Sequence, residues 1–145
     1  DLLKLKIKHS EIHMNLFDSQ NESRLFLLKI ILENLKFFNK RQTALTYLYE
    51  KDLLDCNYKK GDTEGFVNMP LSLKNITFSA LFIEFKDGIK MSFRSQGDFD
   101  VNLFAKKYFN GGGHKNAAGG VFKFKNMEKA IEYFSQVIDD FSYDI

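Results

Sequence analysis

Residues 109–120 read Phe-Asn-Gly-Gly-Gly-His-Lys-Asn-Ala-Ala-Gly-Gly, placing five of the chain's nine glycines and one of its three histidines in twelve positions. Glycine admits backbone angles closed to other residues and lets a ligand approach the main chain. Successive N–H groups in such a run can line an anion-binding concavity, and His114 adds a donor at its edge. The chemistry this suggests is the holding of a phosphate. Two other segments could share it. Arg94-Ser95-Gln96-Gly97 carries an arginine, whose planar fork gives a phosphate two parallel charged hydrogen bonds. Asp62-Thr63-Glu64-Gly65-Phe66-Val67-Asn68 carries Glu64 and Asn68, which could orient those donors or contact a sugar or base. Each signal is weak alone. A glycine run serves equally as a tight turn between packed elements, a strand-end arginine is more often solvated, and Glu64 more often a surface acid or cap. Their combination is what informs.

Catalytic patterns are missing. No Gly-Lys-Ser/Thr follows the glycines, so they are not a Walker loop. No Gly-x-Ser-x-Gly elbow occurs, and no Asp/His set is clustered to hold two divalent metals. His9 and His13 are spaced to share a helix face, but Glu11 is misplaced for a zinc-protease helix and no third ligand lies near. They read as incidental surface histidines. The chain is equipped to bind a phosphate and ill-equipped to cleave one.

The elements that must position these residues follow from periodicity. The 145 residues suffice for one domain with a substantial core. At 44% hydrophobic and 28% charged the composition is that of a globular protein, with sixteen Phe and no Trp filling the core. A net charge of +2 argues against long duplex nucleic acid but leaves a small anion open. Cys56 is alone, so there is no disulfide framework and the residue reads as a small buried hydrophobe. No apolar run is long enough for a bilayer span and no signal peptide is visible, so a cytoplasmic protein is expected. A chain that begins at Asp1 is either processed or one piece of a longer protein.

Residues 1–20 suggest a short helix and a linker. Asn21-Glu22-Ser23 starts a helix over 23–38, with a stripe at Leu25, Leu28, Leu32 and Leu35, widened by Ile31. Thr43–Tyr49 reads as a strand, 52–58 as a short helical turn and 61–70 as an ordered loop or short helix. Residues 76–86 and 88–95 form an antiparallel hairpin through Asp87-Gly88, with Ile89, Met91 and Phe93 on one face and Arg94 on the other. Asp98 or Asp100 caps a helix that ends at Asn110. After the glycine loop come a strand at 118–124 and, from the Asn126 cap, an amphipathic final helix. The fold class is therefore α/β: a mixed sheet with a central antiparallel hairpin, flanked by helices.

Gly-Gly-Gly-His-Lys-Asn-Ala-Ala-Gly at 111–119 closely resembles the signature of the DHH-associated C-terminal domain, which follows the catalytic DHH domain in a phosphoesterase superfamily. The Asp62–Asn68 segment, Phe93-Arg94-Ser95 and Asp100-Val101-Asn102 resemble one subgroup of it. That subgroup degrades very short RNA (oligoribonucleases, or nanoRNases) and dephosphorylates 3′-phosphoadenosine-5′-phosphate, and some members are called exopolyphosphatase-related. The match is strong over about residues 60–145 and weaker before. It implies that residues 1–40 are the end of the catalytic domain and a connecting helix, and that 41–145 are the substrate-binding domain. The resemblance makes Arg94 and His114 substrate ligands, with Ser95, Gly111, Gly112, Gly113, Asn116, Glu64 and Asn68 beside them, and assigns no catalytic residue to this chain. It also implies that the cofactor, two Mn2+ ions, belongs to a DHH domain in cis. Asn110 departs from the family, which often has glycine there. The expected partner is short RNA or a nucleotide phosphate, with a homodimer left open and no membrane. Two alternatives remain: a stand-alone nucleotide- or RNA-binding module, like the associated domain of some tRNA synthetases, or a plain structural or dimerisation domain.

Overall fold

The computed structural model describes residues 21–141. Its centre is the hairpin expected from the alternating pattern. Strands β3 (Phe78–Phe85) and β4 (Gly88–Ser95) pair antiparallel from Phe78 opposite Ser95 to Phe85 opposite Gly88. Around them β1 (Lys36–Phe38), β2 (Thr43–Leu48), β5 (Gly112–His114) and β6 (Ala117–Phe122) complete a six-stranded sheet in the order β1-β2-β3-β4-β6-β5. Only β2 and β3 run parallel, the other pairs being antiparallel, so the sheet is mixed. A parallel pair needs a crossover, here supplied by α2 (Glu50–Asp55) and a 3-10 segment, Phe66–Ser72.

Helices flank both faces. Against one face lie α3 (Val101–Tyr108) and α4 (Met127–Asp140), closing a core in which Ile89, Met91 and Phe93 meet Phe104 and Phe134. Most of the phenylalanines among the described residues lie here. Phe78 meets Phe104 edge-on at 5.2 Å, Phe82 meets Phe134 at 5.3 Å and Phe93 meets Phe104 at 5.5 Å, the geometry that aligns ring edges with ring faces. The other face is covered only in part. There α1 (Glu22–Glu33) packs on β2, α2 on β3, and Phe66–Ser72 on β3 and β4, around Leu27, Ile31, Leu48, Phe66 and Leu81.

Several expectations change. The first helix stops at Glu33 rather than 38, and Lys36–Phe38 instead forms β1 opposite β2. The amide of Asn34 donates to the Tyr47 carbonyl at 2.9 Å, turning the chain onto the sheet edge. The helix therefore buries Leu27 and Ile31 and leaves Leu25 and Leu32 exposed. The glycine run is a strand, not a loop. Asp100, not Asp98, caps α3, its carboxylate accepting the Leu103 N–H at 3.0 Å. The Asn126 cap holds, accepting the Lys129 N–H at 2.9 Å, and Asn110 is left-handed at φ 48°. The helix expected within 1–20, with His9 and His13, lies outside the described residues.

One polar clasp ties α1 to the segment before the 3-10 turn. The carboxylate of Asp62, only 3% exposed, accepts from the Ser23 hydroxyl at 2.6 Å, the Lys59 N–H at 2.8 Å and the Asn21 amide at 3.2 Å. Burial pushes its pKa up, but these donors outweigh burial and hold it below the ordinary carboxylate value. Asp62→Asn is expected to cost about 2 kcal/mol at neutral pH, roughly 5 °C in Tm for a chain of this size. Because the folded carboxyl is the more acidic, wild type holds this stabilisation above about pH 4, the unfolded value, and loses it as acid protonates the folded group. Thermal melts of both proteins should therefore converge below that pH. A gap that stays constant into acid would overturn this role.

Candidate functional site

Sheet register brings two of the candidate residues into one row. Arg94 on β4 is opposite Ala117 on β6, and Ala117 is opposite His114 on β5. Directly opposed residues of an antiparallel ladder share a face. Arg94 and His114 therefore flank a single methyl group, with Cα atoms roughly 10 Å apart at ordinary strand spacing. The guanidinium of Arg94 is half-buried and donates to the carbonyl of Phe93 at 2.9 Å. No carboxylate among the described residues is ion-paired with it. His114 is exposed.

The glycines explain how so bare a strand packs there. A Cβ on Gly111 would stand 1.9 Å from the Gly119 carbonyl oxygen, and one on Gly113 would stand 2.5 Å from that of Ala117. Side chains at either position would push β5 off β6. The N–H groups of these two glycines are also committed within the protein. Gly111 donates to the Ala105 carbonyl at 3.1 Å and Gly113 to the Asn102 side-chain oxygen at 3.0 Å, fastening β5 to α3. Gly112 sits in the ladder opposite Gly119.

Ser95 and Asn116 hold each other. The Asn116 amide donates to the Ser95 hydroxyl at 2.9 Å and to the Gly97 carbonyl at 3.2 Å, while the Ser95 hydroxyl donates to the Phe99 carbonyl at 2.6 Å. The Ser95 N–H donates to the Asn116 carbonyl at 3.1 Å. This double tie fixes the turn after His114 to the end of β4, one residue from Arg94. Glu64 and Asn68 are exposed, Glu64 just before the 3-10 segment and Asn68 within it, where it crosses β3 and β4. Arg24 braces that segment, donating to the carbonyls of Asp62 at 2.9 Å and Glu64 at 2.7 Å, with its guanidinium 4.5 Å from the centre of the Phe66 ring.

Three contributors carried no local sequence signal: Arg24 and the Asp62 clasp act across about forty residues of chain, and Ser79 emerges only from register. Its hydroxyl is buried without a partner among the described residues, directly opposite Arg94. Asn102 lies inside a recognisable motif, but its acceptor role for Gly113 follows only from packing. Among the described residues, no three His, Cys, Asp or Glu side chains gather as a metal site, and no helix is long and apolar enough to cross a membrane.

Residues 42–140 match the DHHA1 domain. The chain belongs to this family. A structure of an exopolyphosphatase-related protein from Bacteroides fragilis is 41% identical, with a TM-score of 0.88 over 96% of this chain and 41% of that one. A structure of a pGpG-specific phosphodiesterase, PggH, from Vibrio cholerae superposes with a TM-score of 0.61 at 15% identity, over 94% of this chain and 44% of that one, a likeness of fold. A 3′,5′-cyclic-nucleotide phosphodiesterase of Helicobacter pylori (strain ATCC 700392 / 26695) is 26% identical over 110 residues, 65% of this chain and 32% of that protein. This DHHA1 domain thus spans about a third of that relative's length, and about two fifths of each of the two matched structures. The α/β sheet with flanking helices is the fold expected from the sequence.

Proposed function

We propose that this DHHA1 domain holds the phosphate of a nucleotide or short oligoribonucleotide for hydrolysis by a divalent-metal-dependent phosphoesterase, with Arg94 and His114 as its ligands. The observation that carries the proposal is the Arg94–Ala117–His114 row, in which a half-buried guanidinium has no carboxylate ion pair among the described residues. Arg94 supplies a fixed charge and a two-pronged donor. His114 supplies a second donor from the opposite side. Ala117 between them leaves room for the anion. The glycines serve by letting β5 lie close enough to β6 to bring His114 to that row, and Ser95 with Asn116 keeps the turn in place. Glu64 and Asn68 approach from the 3-10 side and contact the sugar or base. The relatives named for phosphodiesterase activity support a phosphoester substrate.

In this reading a DHH domain in cis would hold two manganese ions, and the chemistry they would supply is the activation of water for attack on the phosphorus. The present residues bind the phosphate, orient it and neutralise charge that grows on its oxygens. The protein acts in the cytoplasm. A double-mutant cycle tests the shared site: adenosine 5′-monophosphate is titrated calorimetrically into full-length wild type, Arg94→Gln, His114→Gln and the double variant. Two groups on one phosphate should be coupled, so the double variant should lose less than the product of the single losses. Two independent factors, or no loss in either single variant, would sink the reading.

A further inference from the structure

The row that holds Arg94 and His114 is one end of a longer strip on the sheet face that helices and the 3-10 segment cover only in part. Along β4 the residues sharing the face of Arg94 are Ser92 and Lys90, two and four positions away. Beside them on β6 stand Gly119, opposite Ser92, and Val121, opposite Lys90. Among the described residues the space over Gly119 is open: a Cβ there would meet only the Met91 carbonyl of the neighbouring strand, at 3.2 Å. Lys90 is exposed, its ammonium 5.5 Å from the centre of the Phe85 ring, and it has no carboxylate partner among the described residues. The accessible part of this face carries Lys90, Ser92 and Arg94 on β4, then Ala117, Gly119 and Val121 on β6, with no acid among them, while Ser79 and Leu81 beside it on β3 are buried. It is a narrow strip of mostly small side chains with a cation at each end.

We infer that this strip is a track for the nucleotide strand continuing from the anchored phosphate, with Lys90 binding a second phosphate and so favouring oligonucleotides over mononucleotides. The inference rests on the Arg94–His114 site. From Arg94 to Lys90 the Cα separation is roughly 13 Å along an antiparallel strand. At one phosphate per ~3.4 Å in a stacked strand, and a wider spacing when stretched, that reach takes about two to four units. A mononucleotide fills only the Arg94 end. Glycine and alanine on β6 leave the sugars and bases a path without side chains, and the Ser92 hydroxyl lies midway as a donor.

The test is calorimetric binding of 5′-phosphorylated adenosine oligonucleotides of one and three units to the full-length protein, in wild type, Lys90→Gln, Lys90→Arg and Arg94→Gln. Wild type should bind the three-unit strand more tightly. Lys90→Gln should weaken that strand about three- to fivefold, lower its salt slope by about 0.7 and leave the mononucleotide unchanged. Lys90→Arg should restore it. Equal binding of the two lengths by wild type, or a Lys90→Gln effect that is absent or the same for both, overturns the track while leaving the phosphate site standing. An Arg94→Gln variant that binds both lengths like wild type removes the phosphate site itself, and the track with it.

Discussion

Arg94→Ala is expected to weaken phosphate binding, and to lower kcat/KM of the full-length protein, by roughly 100-fold, the scale set by losing a preorganised charged donor from an anionic centre. Several features concentrate the effect on this residue. It is the one guanidinium in the row, it is half-buried where water screens it less, and its neighbour across β6 is a methyl group that cannot compensate. Its one side-chain hydrogen bond among the described residues, to the carbonyl of Phe93, leaves the remaining guanidinium N–H groups for a ligand. Because that bond is local to β4, truncation should leave the melting temperature close to wild type, separating lost binding from lost folding. Arg94→Lys should recover only part of the affinity, since a point charge does not reproduce the planar fork. Calorimetry with adenosine 5′-monophosphate reads all of this, and a loss of less than about threefold for Arg94→Ala would refute Arg94 as a ligand on the same scale of charged contacts.

Gly111→Ala is expected to be the most damaging single-methyl change in the chain. Its Cβ would lie 1.9 Å from the Gly119 oxygen and 2.7 Å from the Gly120 Cα, both backbone atoms that no rotamer change can move aside. The strand must part from β6, and with it go the Gly111 bond to Ala105 and the alignment of His114 with Ala117. Overpacking of a flexible site costs about 1–3 kcal/mol, and a rigid backbone clash belongs at or above the upper end. A drop in Tm of at least about 6 °C is expected for a chain of this size, with phosphate binding lost below the melt. Gly119→Ala is the matched control, its Cβ meeting only one atom at 3.2 Å, and should be milder. If both variants melt alike, close approach is not why Gly111 is glycine.

These two residues show how far local pattern reaches. Arg94 was visible because β4 alternates strictly: Ile89, Met91 and Phe93 inward forces Arg94 outward whatever the strand pairs with. The amphipathic stripe of α4 and the cap at Asn126 were legible for the same reason, each depending on residues within a turn of one another, whereas the choice between Asp98 and Asp100 as the cap of α3 was left to the structure. The first helix misled because Leu25, Leu28, Leu32 and Leu35 keep helical spacing across a break. Spacing cannot tell that Asn34 will be pulled onto the Tyr47 carbonyl and that the next three residues will find a strand partner. The glycine run misled in the other direction. Its composition reads as a loop, yet with α3 on one side and β6 on the other it is extended, paired backbone.

The sequence alone determined that this chain is an α/β domain built on an antiparallel hairpin, and that arginine, histidine and glycine of the kind that hold phosphate lie near the ends of its strands. Those conclusions need only the period of a strand, the period of a helix and the chemistry of single side chains. Tertiary structure decided which of those residues meet. Arg94 and His114 are twenty positions apart and become neighbours because β6 pairs with β4 at Ala117 and with β5 at the same residue. It also decided that the N–H groups of Gly111 and Gly113 go to α3, and that Asp62 binds α1 rather than a ligand. The physical reason is common to all three. Register and tertiary hydrogen bonds are selected by the energy of the whole packed sheet, which the periodicity of a single segment does not carry.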